Sequence, residues 1–138
     1  MKWSRAQLLQ AENCTIYFDE TIDFGPEIFA KMNQIRGLQD VTVSGNVHYD
    51  TASERVFADL DIEGVMIVPC SITLEDVEYD FHTKSLEVFS FDKVDDEDVH
   101  EVKGDVVELL PVVFQLILME VPLKVVKKGL KQYPKGDG

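Results

Sequence analysis

Val65-Met66-Ile67-Val68-Pro69-Cys70-Ser71-Ile72-Thr73-Leu74-Glu75-Asp76-Val77-Glu78-Tyr79-Asp80-Phe81 joins an apolar run to an alternating run through a Pro-Cys-Ser break. The first run reads as a strand buried on both faces. The second, apolar at Val77, Tyr79 and Phe81 and acidic at Glu78 and Asp80, reads as a half-exposed strand of period two. Upstream, Val41, Val43, Gly45 and Val47 alternate with polar residues. Tyr49 to Glu54 is a turn, and Val56 to Val68 returns. This pattern predicts a long β-hairpin with Gly45 and Gly64 as bulges or points of close approach. Downstream, residues 75–81 and 85–91 suggest a second hairpin turning at His82-Thr83-Lys84.

The flanks carry the helices. Ser4 and Gln7 have the spacing of a capping box, which places one or two helical turns within residues 3–11. Residues 14–18 read as a strand and Asp19 to Gly25 as an acidic turn. Pro26 to Arg36 reads as a helix: Pro26 suits its first turn, Ile28, Phe29, Met32 and Ile35 form a stripe, and Gly37 can end it. Residues 99–102 suggest a short strand. Leu109 to Glu120 reads as a second helix, with Pro111 in its first turn and Pro122 stopping it. That helix is apolar almost all round, so it is either buried on most sides or covered by a partner. Strands and helices come in runs, not strict alternation. The expected fold class is therefore α+β, a twisted antiparallel β-sheet of five to seven strands, built of hairpins and packed with two principal α-helices.

A chain of 138 residues fits one domain with one core. Residues 1–123 are taken as that domain and 124–138 as a basic tail expected to fray. The chain has 26 acidic and 13 basic side chains, a formal charge of −13. Such a surface repels phosphate backbones and suits basic partners. The charge is uneven, since residues 71–110 hold 13 acids and 3 bases, and residues 121–138 hold 5 lysines and 1 acid. Two cysteines make no disulfide framework, and Met1 to Gln10 has no signal-like apolar core, so a reducing cytoplasm is expected. The most apolar stretch, Leu109 to Met119, is too short for a membrane span of about 20 residues.

The acidic loop Asp92, Asp95, Asp96, Glu97 and Asp98 lacks the spacing of a calcium loop. Its chemical reading is a solvated loop or a docking site for a basic protein. Lys124, Lys127, Lys128, Lys131 and Lys135 are the candidate RNA contacts, whose affinity would be weak and salt-sensitive. Cys70 has apolar residues on one side and Ser71-Ile72-Thr73 on the other, with no histidine within ten positions. A buried structural thiol is the simpler reading. His48, His82 and His100 do not converge in sequence with enough ligands for a metal. No metal or cofactor is expected.

The start Met1-Lys2-Trp3-Ser4 with Gln7-Leu8, then Pro69-Cys70-Ser71 with Thr73-Leu74-Glu75, then Val77-Glu78-Tyr79-Asp80-Phe81 resemble the Gram-positive branch of the YceD family. These are the large-ribosomal-RNA-subunit accumulation proteins. The family's later block, an acid-Leu-x-Pro helix start and a Leu-x-x-Pro end, is similar to Glu108-Leu109-Leu110-Pro111 and Leu118-Met119-Glu120-Val121-Pro122, with a looser final spacing. The resemblance makes Trp3, Pro69, Cys70, Leu74, Pro111 and Pro122 structural motif positions. It implies a cytoplasmic, non-enzymatic accessory factor needed for normal levels of 23S ribosomal RNA. Many members have Cys-x-x-Cys where this chain has Cys70 and then Thr73, an arginine near Ile72, and a cysteine after the terminal proline. This chain has none of them. Its last helix carries Val113-Phe114-Gln115 where the family is rich in glutamate, which hints at a hydrophobic partner surface.

The mechanism expected from charge is docking of a basic ribosomal or RNA-processing protein on the acidic surface, with weak RNA contact through the lysines. Two rivals stand beside it. One is a small enzyme using Cys70 or a His/Asp pair in a pocket. The other is a homodimeric scaffold paired through helix 109–119.

Overall fold

A computed structural model of the chain describes residues 1–93 and 95–122. The predicted basic tail, with its five lysines, lies outside the described residues. Three long strands form the spine: β3 (Gly37–Asp50), β4 (Arg55–Pro69) and β5 (Asp76–Ser90). β2 (Thr15–Ile22) pairs with β3, and β6 (Val99–Glu101) pairs with β5, giving a sheet ordered β2-β3-β4-β5-β6. All pairings are antiparallel except β5–β6, which is parallel. A separate ribbon joins β1 (Lys2–Ser4) to β7 (Val106–Glu108). Helix α1 (Arg5–Gln10) follows β1, and α2 (Leu110–Leu118) follows β7. The coarse class is α+β, with a mixed, mostly antiparallel sheet and few helices.

The hairpin β3–β4 forms where alternation placed it. At its turn Glu54 N–H donates to the Asp50 carbonyl at 2.8 Å. Both glycines are close-approach points. A Cβ on Gly45, whose φ is +144°, would collide with the Asp59 carbonyl. One on Gly64 would stand 3.0 Å from the Val41 Cα, where β3 takes up one extra residue between Gln39 and Thr42. The capping box is also present. Ser4 Oγ accepts from Gln7 N–H at 3.1 Å, and Gln7 Oε1 accepts from Ser4 N–H at 2.8 Å.

Several expectations are corrected. Residues 82–84 do not turn: β5 runs unbroken for 15 residues against an equally long β4. His-Thr-Lys contains none of the Gly, Pro, Asn or Asp that a hairpin turn needs, and β4 supplies a continuous template. Pro26 to Arg36 is not a helix. Only Pro26–Phe29 forms a 3-10 turn, closed by bonds such as Ala30 N–H to the Glu27 carbonyl at 3.4 Å. Arg36 N–H already donates to the Ile67 carbonyl at 2.7 Å, so strand pairing claims the segment's end before a short helix can propagate. The second helix of the pair is therefore the six-residue α1. The first strand extends to Ile22, through residues read as a turn. The run at 65–68 is buried on one face only: Met66 and Val68 are buried, Val65 and Ile67 half-buried.

One face of the sheet carries the core. Val41, Val43 and Val47 of β3 and Val56, Leu60, Ile62 and Met66 of β4 are almost fully buried. They join one cluster with Leu8 of α1, Ile35, Val107 of β7, and Leu109, Val113 and Ile117 at α2. Aromatic contacts fasten the cover. Trp3 meets Phe18 at 5.4 Å between ring centroids, Phe114 meets Phe24 at 5.5 Å, and the Arg5 guanidinium lies 4.2 Å from the Phe91 ring centre. Of the family-motif residues, Trp3 and Cys70 pack inward and Pro111 sits in the first turn of α2. Leu74, by contrast, is 65% exposed. Its left-handed backbone (φ +65°) lies in the β4–β5 turn, and its carbonyl accepts from the Arg36 guanidinium at 2.8 Å. Among the described residues no helix is long and apolar enough to cross a membrane.

Candidate functional site

Directly paired residues of neighbouring strands point to the same face of a sheet. The register therefore fixes what the face opposite the core presents. One row runs Asp19–Ser44–Asp61–Lys84 across β2, β3, β4 and β5. The next runs Thr21–Thr42–Glu63–His82, and the one on the other side runs Tyr17–Asn46–Asp59–Leu86. Further along, Val65 faces Asp80, Ile67 faces Glu78 and Pro69 faces Asp76. Asp19, Asp59, Asp61, Glu63, Asp76, Glu78 and Asp80 thus share one outward face. All are exposed except Asp61, which is half-buried.

Among the described residues few cations answer them. Asp61 meets Lys84 Nζ at 3.7 Å and also His82 Nε2 at 2.5 Å. Asp76 takes Arg36 at 2.6 Å, an exposed pair of small energetic weight. The face also shows apolar surface, since Tyr17 is 79% and Leu86 63% exposed. A surface of this kind attracts cations at long range and offers aromatic contact at short range.

The acids of residues 76–80 were legible as the polar half of an alternating strand. Asp59, Asp61 and Glu63 were missed, because charge was read along the chain while strand pairing gathers it across the sheet. Their signal was the alternation Ala58-Asp59-Leu60-Asp61-Ile62-Glu63. The acidic loop is exposed too, but at the far end of β5. Ser90 stands ten residues along that strand from Asp80, roughly 33 Å at ~3.3 Å per residue. Part of the loop is also spent on its own turn. Asp96 Oδ1 accepts from Asp98 N–H at 2.9 Å, and the Asp96 carbonyl accepts from Val99 N–H at 3.2 Å at the start of β6.

The residues of the enzyme reading separate. Cys70 is fully buried at the strand joint and Cys14 half-buried. His48 Nδ1 meets Thr15 Oγ1 at 2.8 Å, and His82 borders an open depression of about 420 Å³ beside Asp40, Glu63 and Asp80. His100 Nε2 lies 2.7 Å from Glu87 Oε1, its ring tilted against Phe89 at 4.9 Å between centroids. Ser85 Oγ donates to the other Glu87 oxygen. In that chain the serine bonds the carboxylate, whereas nucleophilic activation needs it on the imidazole. His100 also borders a cleft of about 640 Å³ with Lys2, Lys103, Val106 and Pro111. Among the described residues no group of three or more His, Cys, Asp or Glu is placed to hold a metal.

The comparisons with known proteins agree on one group. Residues 58–138 match the family model described as large ribosomal RNA subunit accumulation protein YceD. That match starts in β4 and takes in β5, β6, β7 and α2. Over 128 residues the chain is 38% identical to "Uncharacterized protein YlbN" of Bacillus subtilis (strain 168), covering 91% of this chain and 73% of that protein. No solved structure matches.

Proposed function

Because the chain belongs to the YceD family of large ribosomal RNA subunit accumulation proteins, we propose that it is a non-enzymatic accessory factor in 23S rRNA accumulation and large-subunit biogenesis. It acts in the cytoplasm by holding a basic ribosomal or RNA-processing protein. The supporting observation is the outward face of the sheet, where seven carboxylates share one surface with exposed Tyr17 and Leu86. A lysine- or arginine-rich protein docked there is shielded from unproductive contact with RNA until it is handed over. Any RNA contact made by this chain falls to Lys124, Lys127, Lys128, Lys131 and Lys135.

The test is crosslinking of the tagged protein in cells, reading proteins and RNA together. Wild-type protein should recover basic large-subunit or RNA-processing proteins. The variant Asp59→Asn/Asp61→Asn/Glu63→Gln should recover them at least several-fold less and fail to restore 23S rRNA in a deletion strain. Equal recovery by the two would remove the docking role. A parallel variant with Asp95, Asp96 and Asp98 changed to Asn and Glu97 to Gln asks whether the loop contributes.

The dimeric reading has less surface to use. α2 turns Val113 and Ile117 into its own core and leaves Leu110 and Met119 exposed.

A further inference from the structure

Among the described residues, β2 at one side of the sheet and most of β5 at the other have no strand beyond them, and the β5 edge lies beside the acidic face. β6 covers only Val88, Phe89 and Ser90 of β5. The Ser90 carbonyl accepts from Val102 N–H at 2.8 Å, on the side away from β4. The β4–β5 register is unbroken from Arg55–Ser90 to Pro69–Asp76, so backbone direction alternates without a slip along the strand. By that period of two, the N–H and C=O groups of Glu78, Asp80, His82, Lys84 and Leu86 also point away from β4. Among the described residues none of these backbone groups has a hydrogen-bond partner outside the strand. An uncapped edge of this length is a template for another strand.

We propose that this edge takes up an extended segment of the basic partner as an added strand, opposite Val77 to Lys84. The inference rests on the acidic-face reading and specifies its mode of contact. The side chains set what fits. On the outward face the added strand would meet Glu78 and Asp80, which call for lysine or arginine at alternate positions. On the other face it would meet Val77, Tyr79 and Phe81, of which Tyr79 is 37% exposed. Those neighbours call for β-branched or aromatic residues in between. The occupant is thus an alternating basic–apolar segment. Self-pairing of β5 about Asp80 would set Asp80 against its own copy but Glu78 against His82 and Asp76 against Lys84. A dimer of the free chain seen by light scattering and broken by the alternating peptide would therefore make a second copy the occupant and overturn the proposal. Glu78 and Asp80 on the edge admit a strand of opposite sign.

The experiment uses the full chain and a capped heptapeptide, Lys-Val-Arg-Tyr-Lys-Val-Arg, with a scrambled control of the same composition. Amide exchange followed by NMR should slow at least tenfold at Glu78, Asp80 and His82 when the alternating peptide binds, and not with the control. N-methylation of one alternate set of peptide residues should weaken binding tenfold or more. Methylating the other set should leave it unchanged, since only one set faces β5. Asp80→Pro should bind worse than the equally neutral Asp80→Asn, and an outward-facing N–H on an edge strand is where proline is tolerated. If both methylated peptides bind alike, or the amides of residues 78–82 stay unprotected, edge pairing is overturned. Side-chain docking on the acidic face then survives only if the Asp59/Asp61/Glu63 variant still loses the peptide. Edge pairing intact with normal 23S rRNA in a deletion strain would instead overturn the assembly role and leave the added strand standing.

Discussion

Gly45 and Asp59 meet backbone to backbone. The α-carbon of Gly45 is so close to the Asp59 carbonyl that a side chain would have to occupy the oxygen's place, and the φ of +144° is one that side-chain-bearing residues rarely adopt. Gly45 is therefore required in the middle of β3 although glycine weakens strands in general. Gly45→Ala should destabilise the fold by about 3 kcal/mol or more, since the residue both clashes and is strained. Urea denaturation measures it, and a loss below about 1 kcal/mol would show that β3 can part from β4 there at little cost.

Asp50 closes the β3–β4 turn. Its carboxylate accepts from Ser53 Oγ at 2.7 Å and Ala52 N–H at 3.3 Å. The Ser53 hydroxyl is the main cause holding the Asp50 carboxyl below its ordinary value, with the backbone N–H groups and His48 assisting. A depressed carboxyl stabilises the fold above the unfolded pKa of about 4 and stops doing so as pH falls through the folded value. Ser53→Ala should therefore be less stable than wild type at neutral pH, with the gap closing below about pH 4. Thermal melts of the pair from pH 7 to pH 2.5 test this, and a gap that widens in acid would refute the assignment.

The outward acids repel one another. Asp59, Asp61 and Glu63 follow at every second residue of β4, about 7 Å apart, and only Asp61 has a cation against it among the described residues. Added salt screens such repulsion. Wild-type stability should rise by about 1 kcal/mol between low salt and 0.5 M sodium chloride. Asp59→Asn/Glu63→Gln should be at least as stable as wild type and respond less to salt. A variant clearly less stable than wild type would mean these carboxylates hold the fold together.

Two kinds of signal decided what could be read from the chain. Local ones were sufficient where both partners lie a few residues apart: Ser4 with Gln7, or the valines of β3 around the Tyr49–Glu54 turn. Residues 82–84 failed because the paired apolar–polar pattern weakens at Thr83 and Ser85, which mimics a turn. Continuity there is imposed by β4, and the sequence of β5 alone does not contain it. The stripe at Ile28, Phe29, Met32 and Ile35 is a real burial signal, since Phe29 and Ile35 are buried. Its helical spacing misleads because a 3-10 turn followed by extended chain can bury the same residues. The acidic site was half legible for a related reason. Glu78 and Asp80 belong to the alternating run Val77 to Phe81, while Asp59 and Glu63 become their neighbours only through pairing.

Glu87 ties the parallel end of the sheet. Its side chain is 17% exposed and holds Ser85 through one oxygen and His100 of β6 through the other. Glu87→Ala should cost about 1–3 kcal/mol, the usual penalty for stranding partly buried partners. The loss should be local first, with amides of Val99 to Glu101 exchanging faster while those of β3 stay protected. Uniform loss of protection would place Glu87 in the global core instead.

Cys70 gives the sharpest test between a structural joint and a reactive site. It is fully buried, its N–H donates to the Glu75 carbonyl at 2.8 Å, and its carbonyl accepts from Leu74 N–H at 2.9 Å. Those two bonds close the turn that sends β4 into β5, so the residue's place is fixed by the backbone while the thiol packs inward. A reactive thiolate needs access and a cationic neighbourhood, and a buried thiol offers a reagent no path except through opening of the structure. In native protein a thiol-reactive disulfide reagent should modify Cys14 first and Cys70 only at the rate of unfolding, so that denaturant accelerates the second phase and leaves the first little changed. Cys70→Ala should reduce stability by about 1–2 kcal/mol through the small cavity it opens, with partner recovery otherwise unchanged. Rapid modification of Cys70 in the folded protein, or loss of function in a Cys70→Ala chain of wild-type stability, would favour the enzyme reading over the docking one.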